Sequence, residues 1–185
     1  MLYHVSSIPG IKVLEPRVST HGTAYVYAIE NLVTGLLFGA KQDDFDFHIS
    51  TDEKGIPTIF ECYPGALEAK YKDKSCTVYE LTEEGFLRGK TSWSEELVCE
   101  TEVPVQKEKF ISDLYMRLLE EEEQGKLYIH RFENSTEYKQ FISKHIVDRL
   151  IRFDALKYAK TDKRFQTYFK GLVDGLESLM DGHLI

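Results

Sequence analysis

The chain has 185 residues, 42% hydrophobic and 29% charged, which suits one globular domain, or a domain with a helical appendage, and argues against wholesale disorder. Its formal charge of −8 argues against recruiting a polyanion through the overall field. No apolar run approaches the roughly 20 residues of a membrane span, no basic-then-apolar leader is visible, and the odd, widely spaced Cys62, Cys76 and Cys99 make neither a disulfide framework nor a zinc motif, so a cytoplasmic protein without membrane contact is expected.

The first two-thirds read as short strands and turns. Leu2 to Ser6 is a β-type run closed by Pro9-Gly10, and Ile11 to Leu14 is a second, stopped by Pro16. Ala24 to Ile29 alternates aromatic and β-branched residues and predicts a strand. Across Asn31 to Ala40, Leu32, Leu36 and Leu37 share a helical face. Phe45, Phe47 and Ile49 alternate, and a turn at Asp52 to Gly55 leads into Thr58 to Tyr63, a hairpin pattern. One or two helical turns follow at Ala66 to Lys72. Ser75 to Leu81, Leu87 to Thr91 and Leu97 to Val105 are further strand candidates.

The last third is helical in character. Phe110, Ile111, Leu114, Tyr115, Leu118 and Leu119 form an i, i+3, i+4 stripe that predicts a helix over 107–123, ended by Gly125. Leu127 to Phe132 can add one strand. Ser135 is placed to cap a helix running through Phe141, Ile142, His145, Ile146, Arg149 and Leu150, and Phe165 to Met180 predicts another. The expected class is α+β, with an α+β domain over 1–132 and a helical extension over 133–185.

The charge is unevenly spread. Residues 1–106 carry 9 basic and 17 acidic side chains, whereas 107–185 carry 14 of each. Within the latter, 139–170 holds nine Lys or Arg against three Asp, either a solvated helix face or a local patch for an anionic acceptor. Strand parity sets Asp44, Asp46 and His48 on one side, a donor set of metal-dependent hydrolase type. No second ligand cluster accompanies it, and no metal site is assigned. In the stretch His21-Gly22-Thr23, backbone N–H groups could cradle a phosphate, with Arg17 and Lys12 as cations. Nucleophile elbows, Walker loops and dinucleotide fingerprints are absent from the sequence.

Three short pieces remain: Leu2-Tyr3-His4-Val5-Ser6, Val26-Tyr27-Ala28-Ile29-Glu30-Asn31, and Glu95-Glu96-Leu97-Val98 running into Val103-Pro104-Val105. In this order they resemble the three motifs of the His-Tyr-Glu branch of the ADP-ribosyltransferase-like superfamily, over about residues 2–106. The resemblance implies split mixed or antiparallel sheets with NAD, as substrate, in the cleft between them. It implies His4 as ribose binder, Tyr27 as the ring stacked on nicotinamide and Glu96 as the catalytic carboxylate. Tyr25 and Arg17 are further NAD-binding candidates, and Glu95, Glu100 and Glu102 are alternative carboxylates. Glycosidic cleavage of NAD leaves positive charge on the ribose, which a carboxylate stabilises, while an aromatic face fixes the departing ring. The implied activity is transfer of ADP-ribose to an unknown acceptor, with 139–170 a candidate recruiting surface. A catalytically inactive member serving as a binding module is the alternative. On strand parity, Tyr25 and Tyr27 share one face, Glu96 shares another with Glu100 and Glu102, and His4 shares one with Leu2 and Ser6.

Overall fold

A computed structural model describes residues 1–18, 22–41, 45–91 and 93–181, the side chains of 177–181 aside. In chain order the strands are β1 (Leu2–Ser6), β2 (Val13–Leu14), β3 (Arg17–Val18), β4 (Ala24–Ile29), β5 (Phe47–Thr51) and β6 (Pro57–Glu61). They continue with β7 (Cys76–Leu81), β8 (Leu87–Arg88), β9 (Glu96–Cys99), β10 (Val103–Pro104), β11 (Lys107–Ile111) and β12 (Tyr128–His130). The helices are α1 (Leu32–Leu37), α2 (Ala66–Tyr71), α3 (Leu114–Glu123), α4 (Thr136–Arg152), α5 (Leu156–Ala159) and α6 (Lys170–Asp181), with a π-helical turn at Phe165–Phe169. The protein is therefore mixed α+β. Among the described residues, no helix is long and apolar enough to cross a membrane.

Two compact units divide the chain. One holds Met1–Gln42, Ser50–Thr58 and Leu67–Ile129; the other holds Asp43–Ile49, Ile59–Ala66 and His130–Ile185. The helical C-terminal part thus shares its unit with two short segments from the N-terminal half of the chain.

The first unit is built on an antiparallel sheet in the order β11-β7-β1-β4-β9-β8, with β3 also paired to β4. Register assigns its two faces. Leu2 lies opposite Leu81, His4 opposite Tyr79, Ala28 opposite Leu97 and Val26 opposite Cys99, so these side chains share one face. That face is covered by the β2–β10 ribbon, whose Leu14 and Val103 join Leu2, Val26, Ala28, Tyr79, Leu81, Leu97 and Cys99 in one buried cluster. The Tyr79 hydroxyl donates to the Ile8 carbonyl at 2.6 Å and accepts from the Ile11 N–H at 3.2 Å, tying the entry to β2 onto that cluster.

The opposite face carries Tyr3, Val5, Ile29, Tyr27, Val98 and Glu96. Helix α1 packs there. Asn31 starts the helix by accepting from the Val33 and Thr34 N–H groups at 2.9 and 3.1 Å. Gly35 lets α1 approach closely, since a Cβ there would stand 3.1 Å from Ile29 and 3.3 Å from Val5. At the far end the space is tighter: a Cβ on Gly39 would come within 2.8 Å of Leu114 Cδ2 and 3.0 Å of Cys76.

The expected helix over 107–123 is divided. Lys107–Ile111 forms β11 and pairs with β7 along all five residues, and the helix begins at Leu114, capped by Asp113 accepting from the Met116 N–H at 2.9 Å. Phe110 and Ile111 satisfy either period, and the open edge of β7 offers hydrogen bonds that a longer helix would forgo. Phe110 is accordingly 59% exposed, whereas the stripe would have buried it. The alternating Lys107, Glu108 and Lys109 then blunt the outer edge of the sheet.

In the second unit, aromatic rings pack against one another. Phe45 meets Phe165 edge-on at 5.0 Å, Phe165 meets Phe169 at 5.3 Å, and Phe60 stacks on His130 at 4.4 Å. Ser135 caps α4 by accepting from the Tyr138 N–H at 3.2 Å. Ile142, His145, Ile146 and Leu150 form the buried face of α4. A charge lies within this unit: the buried Asp46 carboxylate accepts from Arg164 Nη1 and from the Tyr63 hydroxyl, both at 2.7 Å. Arg164 also bonds Asp162, whose carboxyl it holds well below the usual range.

Two stability outcomes follow. Gly39→Ala should cost about 1–3 kcal/mol by overpacking against Leu114 and Cys76, read as a lower denaturant midpoint at unchanged slope. Arg164→Ala leaves the Asp46 carboxylate buried without its counter-charge and should cost about 3–5 kcal/mol. Its loss should appear first in amide exchange of the second unit.

Candidate functional site

His4, Tyr27 and Glu96 stand on β1, β4 and β9, three neighbouring strands of the sheet. The recorded pairing of β1 with β4 is one residue pair, Tyr3 with Ile29, against five pairs between β1 and β7. Beyond that pair the contact is made by a side chain: His4 Nδ1 lies 2.8 Å from the Tyr27 carbonyl. A carbonyl can only accept, so Nδ1 carries the proton. Burial, and secondarily the positive charge of Arg17, lower the His4 pKa against the opposing pull of this hydrogen bond. The ring is then neutral at pH 7, with Nε2 presented as an acceptor.

The register separates the three side chains. His4 shares its face with Tyr79 and Ala28, whereas Tyr27 and Glu96 project from the face on which α1 packs. Glu96 is directly opposite Ile29 and therefore diagonal to Tyr27, within the reach of long side chains. Tyr25 is buried on the same face and meets Tyr27 edge-on at 6.0 Å. Arg17 is exposed and lies opposite Tyr25 in the β3–β4 pair.

The alternative carboxylates are dispersed by the end of β9. Glu95 precedes the strand in a turn closed by the Glu96 N–H on the Trp93 carbonyl at 3.2 Å. Glu100 and Glu102 are exposed in the bend between β9 and β10. The strand expected from Leu97 to Val105 is thus two short pieces, and parity does not carry from Glu96 to Glu100 or Glu102. Of the possible phosphate cradle, His21 lies outside the described residues; Gly22 has a φ of 75° and Lys12 pairs with Glu108 at 3.4 Å.

Of the residues with a metal-binding pattern, Asp44 lies outside the described residues, and Asp46 is engaged by Arg164 and Tyr63. His48 faces a residue that the alternation did not suggest: its Nδ1 is 3.1 Å from Nδ1 of His145, and its ring lies edge-on to Phe141 at 5.1 Å. Burial, His145 and Arg149 push His48 down to about 4. His145, at position i+3 from Ile142 on the apolar stripe of α4, was legible as a core-facing histidine, but its partner 97 residues away was not. In the basic stretch 139–170, Arg149 and Arg152 pair with Asp148, and Arg164 pairs with Asp46 and Asp162. Lys139, Lys144, Lys157, Lys163 and Lys170 are exposed.

The His48 shift fixes a pH dependence. In an unfolded chain this imidazole takes up its proton near 6.5, in the folded unit near 4. Between those values the unfolded state binds more protons, so stability declines as pH falls through the window, by at most about 1.4 kcal/mol per pH unit. His48→Phe should flatten that slope in denaturant melts across the window, leaving the neutral-pH slope with denaturant unchanged. Comparison of the chain with family models, with curated proteins and with solved structures finds no match.

Proposed function

We propose that the first unit is an ADP-ribosyltransferase-like module that binds NAD beside β1 and β4 and transfers ADP-ribose to an acceptor. The observation that carries this reading is the His4 imidazole bridging to the Tyr27 carbonyl where the backbone pairing of the two strands has stopped. The Nε2 acceptor of a neutral His4 suits a ribose hydroxyl, Tyr27 supplies a ring face for nicotinamide, and the Arg17 guanidinium suits a pyrophosphate. Glu96, one strand further on, is the carboxylate offered to the positive charge that develops on the ribose.

A second reading, an inactive member that binds without transferring, draws on the register that sets His4 and Glu96 on opposite faces of the sheet. One pair of variants separates the two. Calorimetry should show NAD binding that Tyr27→Ala weakens by about 1 kcal/mol or more, as loss of an aromatic stack does. Absence of saturable binding by wild type at millimolar NAD would sink both readings. With binding intact, Glu96→Gln should lower NAD turnover by roughly 10²–10³ while leaving NAD affinity unchanged. Binding without any turnover in wild type selects the inactive module.

A further inference from the structure

The second unit contains a recess of about 300 Å³, at the lower end of the size range of small-molecule sites. One wall is a stacked pair of rings, Tyr63 and Tyr168, with centroids 4.7 Å apart and planes 9° from parallel. Tyr63 is buried and anchored by its hydroxyl to Asp46 at 2.7 Å, so the stack has a fixed base. Phe132 lines the recess as well, and α4 contributes Lys139 and Ser143, one helical turn apart. No carboxylate lines it, and Lys139 is in no ion pair among the described residues.

Two features of the backbone shape the recess. Tyr168 and Phe169 reach the recess from the π-helical turn Phe165–Phe169, a geometry rare within helices and frequent at functional sites. Gly171 follows, inside a continuous helical run where glycine is among the least favourable residues. A Cβ on Gly171 would meet nothing within 4 Å, and its φ is not in the left-handed region, so neither crowding nor backbone conformation requires glycine there. Without a side chain at this position, the recess is open beside α6.

We propose that this recess binds a compact aromatic carboxylate, whose ring lies over Gly171 against the Tyr63–Tyr168 stack and whose charge meets Lys139. A ring wall, one unpaired ammonium and no opposing carboxylate select a flat anion over a flat neutral molecule or a cation. Ser143, a turn beyond Lys139, supplies a second donor for the carboxylate. The site does not rest on NAD binding by the first unit.

The test is calorimetric titration of the full chain with naphthoate, and with naphthamide as its neutral counterpart. Naphthoate should bind saturably and more tightly than naphthamide. Gly171→Leu, which fills open space and improves helix propensity, should abolish binding of both compounds without lowering the Tm. Lys139→Gln should weaken naphthoate roughly tenfold, as loss of a charge-assisted contact does, and leave naphthamide unchanged. No saturable naphthoate binding by wild type, or binding that Gly171→Leu leaves intact, overturns the site. Equal affinity for the two compounds overturns its assignment to anions.

Discussion

The first unit depends on β4 being buried on both of its faces. Val26 and Ala28 enter the cluster under the β2–β10 ribbon, while Tyr25 and Ile29 are buried on the other face of the strand. A strand in that position cannot leave its N–H and C=O groups to water, so both of its edges must be paired. β9 meets this demand on one edge along four residues, from Val26 with Cys99 to Ile29 with Glu96. β1 pairs with β4 at a single recorded pair, and the His4 ring takes the Tyr27 carbonyl. The candidate site therefore arises from hydrogen-bond accounting on a buried strand: where the backbone ladder ends, a side chain supplies the donor. A histidine serving in this way has its tautomer set by structure, and burial keeps it neutral.

In the second unit the constraint is a buried charge rather than a buried strand. Asp46 is 3% exposed, and a carboxylate so placed is tolerable only with its oxygens occupied. Arg164 and Tyr63 occupy it, and both also shape the recess region: Tyr63 carries the ring stack, and Arg164 directly precedes the π-helical turn that presents Tyr168. The salt bridge thus does more for geometry than its net energy suggests, since a buried pair roughly balances its own desolvation. The His48–His145 contact belongs to the same economy of few polar groups among many rings. One proton serves two facing Nδ1 atoms, and a second is resisted by burial and by Arg149.

Much of the local structure was legible because it rests on short-range physics. Alternation marked β4, the Ser135 cap marked the start of α4, and the Asp52–Gly55 turn marked the β5–β6 connection. Legibility failed where two periods agreed. Phe110 and Ile111 fit a helix stripe and a strand equally, and the free edge of β7, far away in sequence, decided for the strand. The candidate site was legible as residue types in order along the chain. The opposite-facing projection of His4 and Glu96 was not, because parity within a strand says nothing about which face of the sheet it joins.

The sequence by itself determined the α+β class, the strands that carry His4 and Tyr27, and the helical character of the C-terminal third. Hydrophobic periodicity and capping act over a few residues and can be read from a few residues. Only the tertiary structure decided that β1, β4 and β9 are neighbours, that Asp46 meets Arg164 across 118 residues, and that His48 meets His145 across 97. It also decided that segments 43–49 and 59–66 join the helical unit. Such contacts are chosen by which buried edge, charge or ring still lacks a partner once the chain has collapsed, a condition that no local pattern encodes.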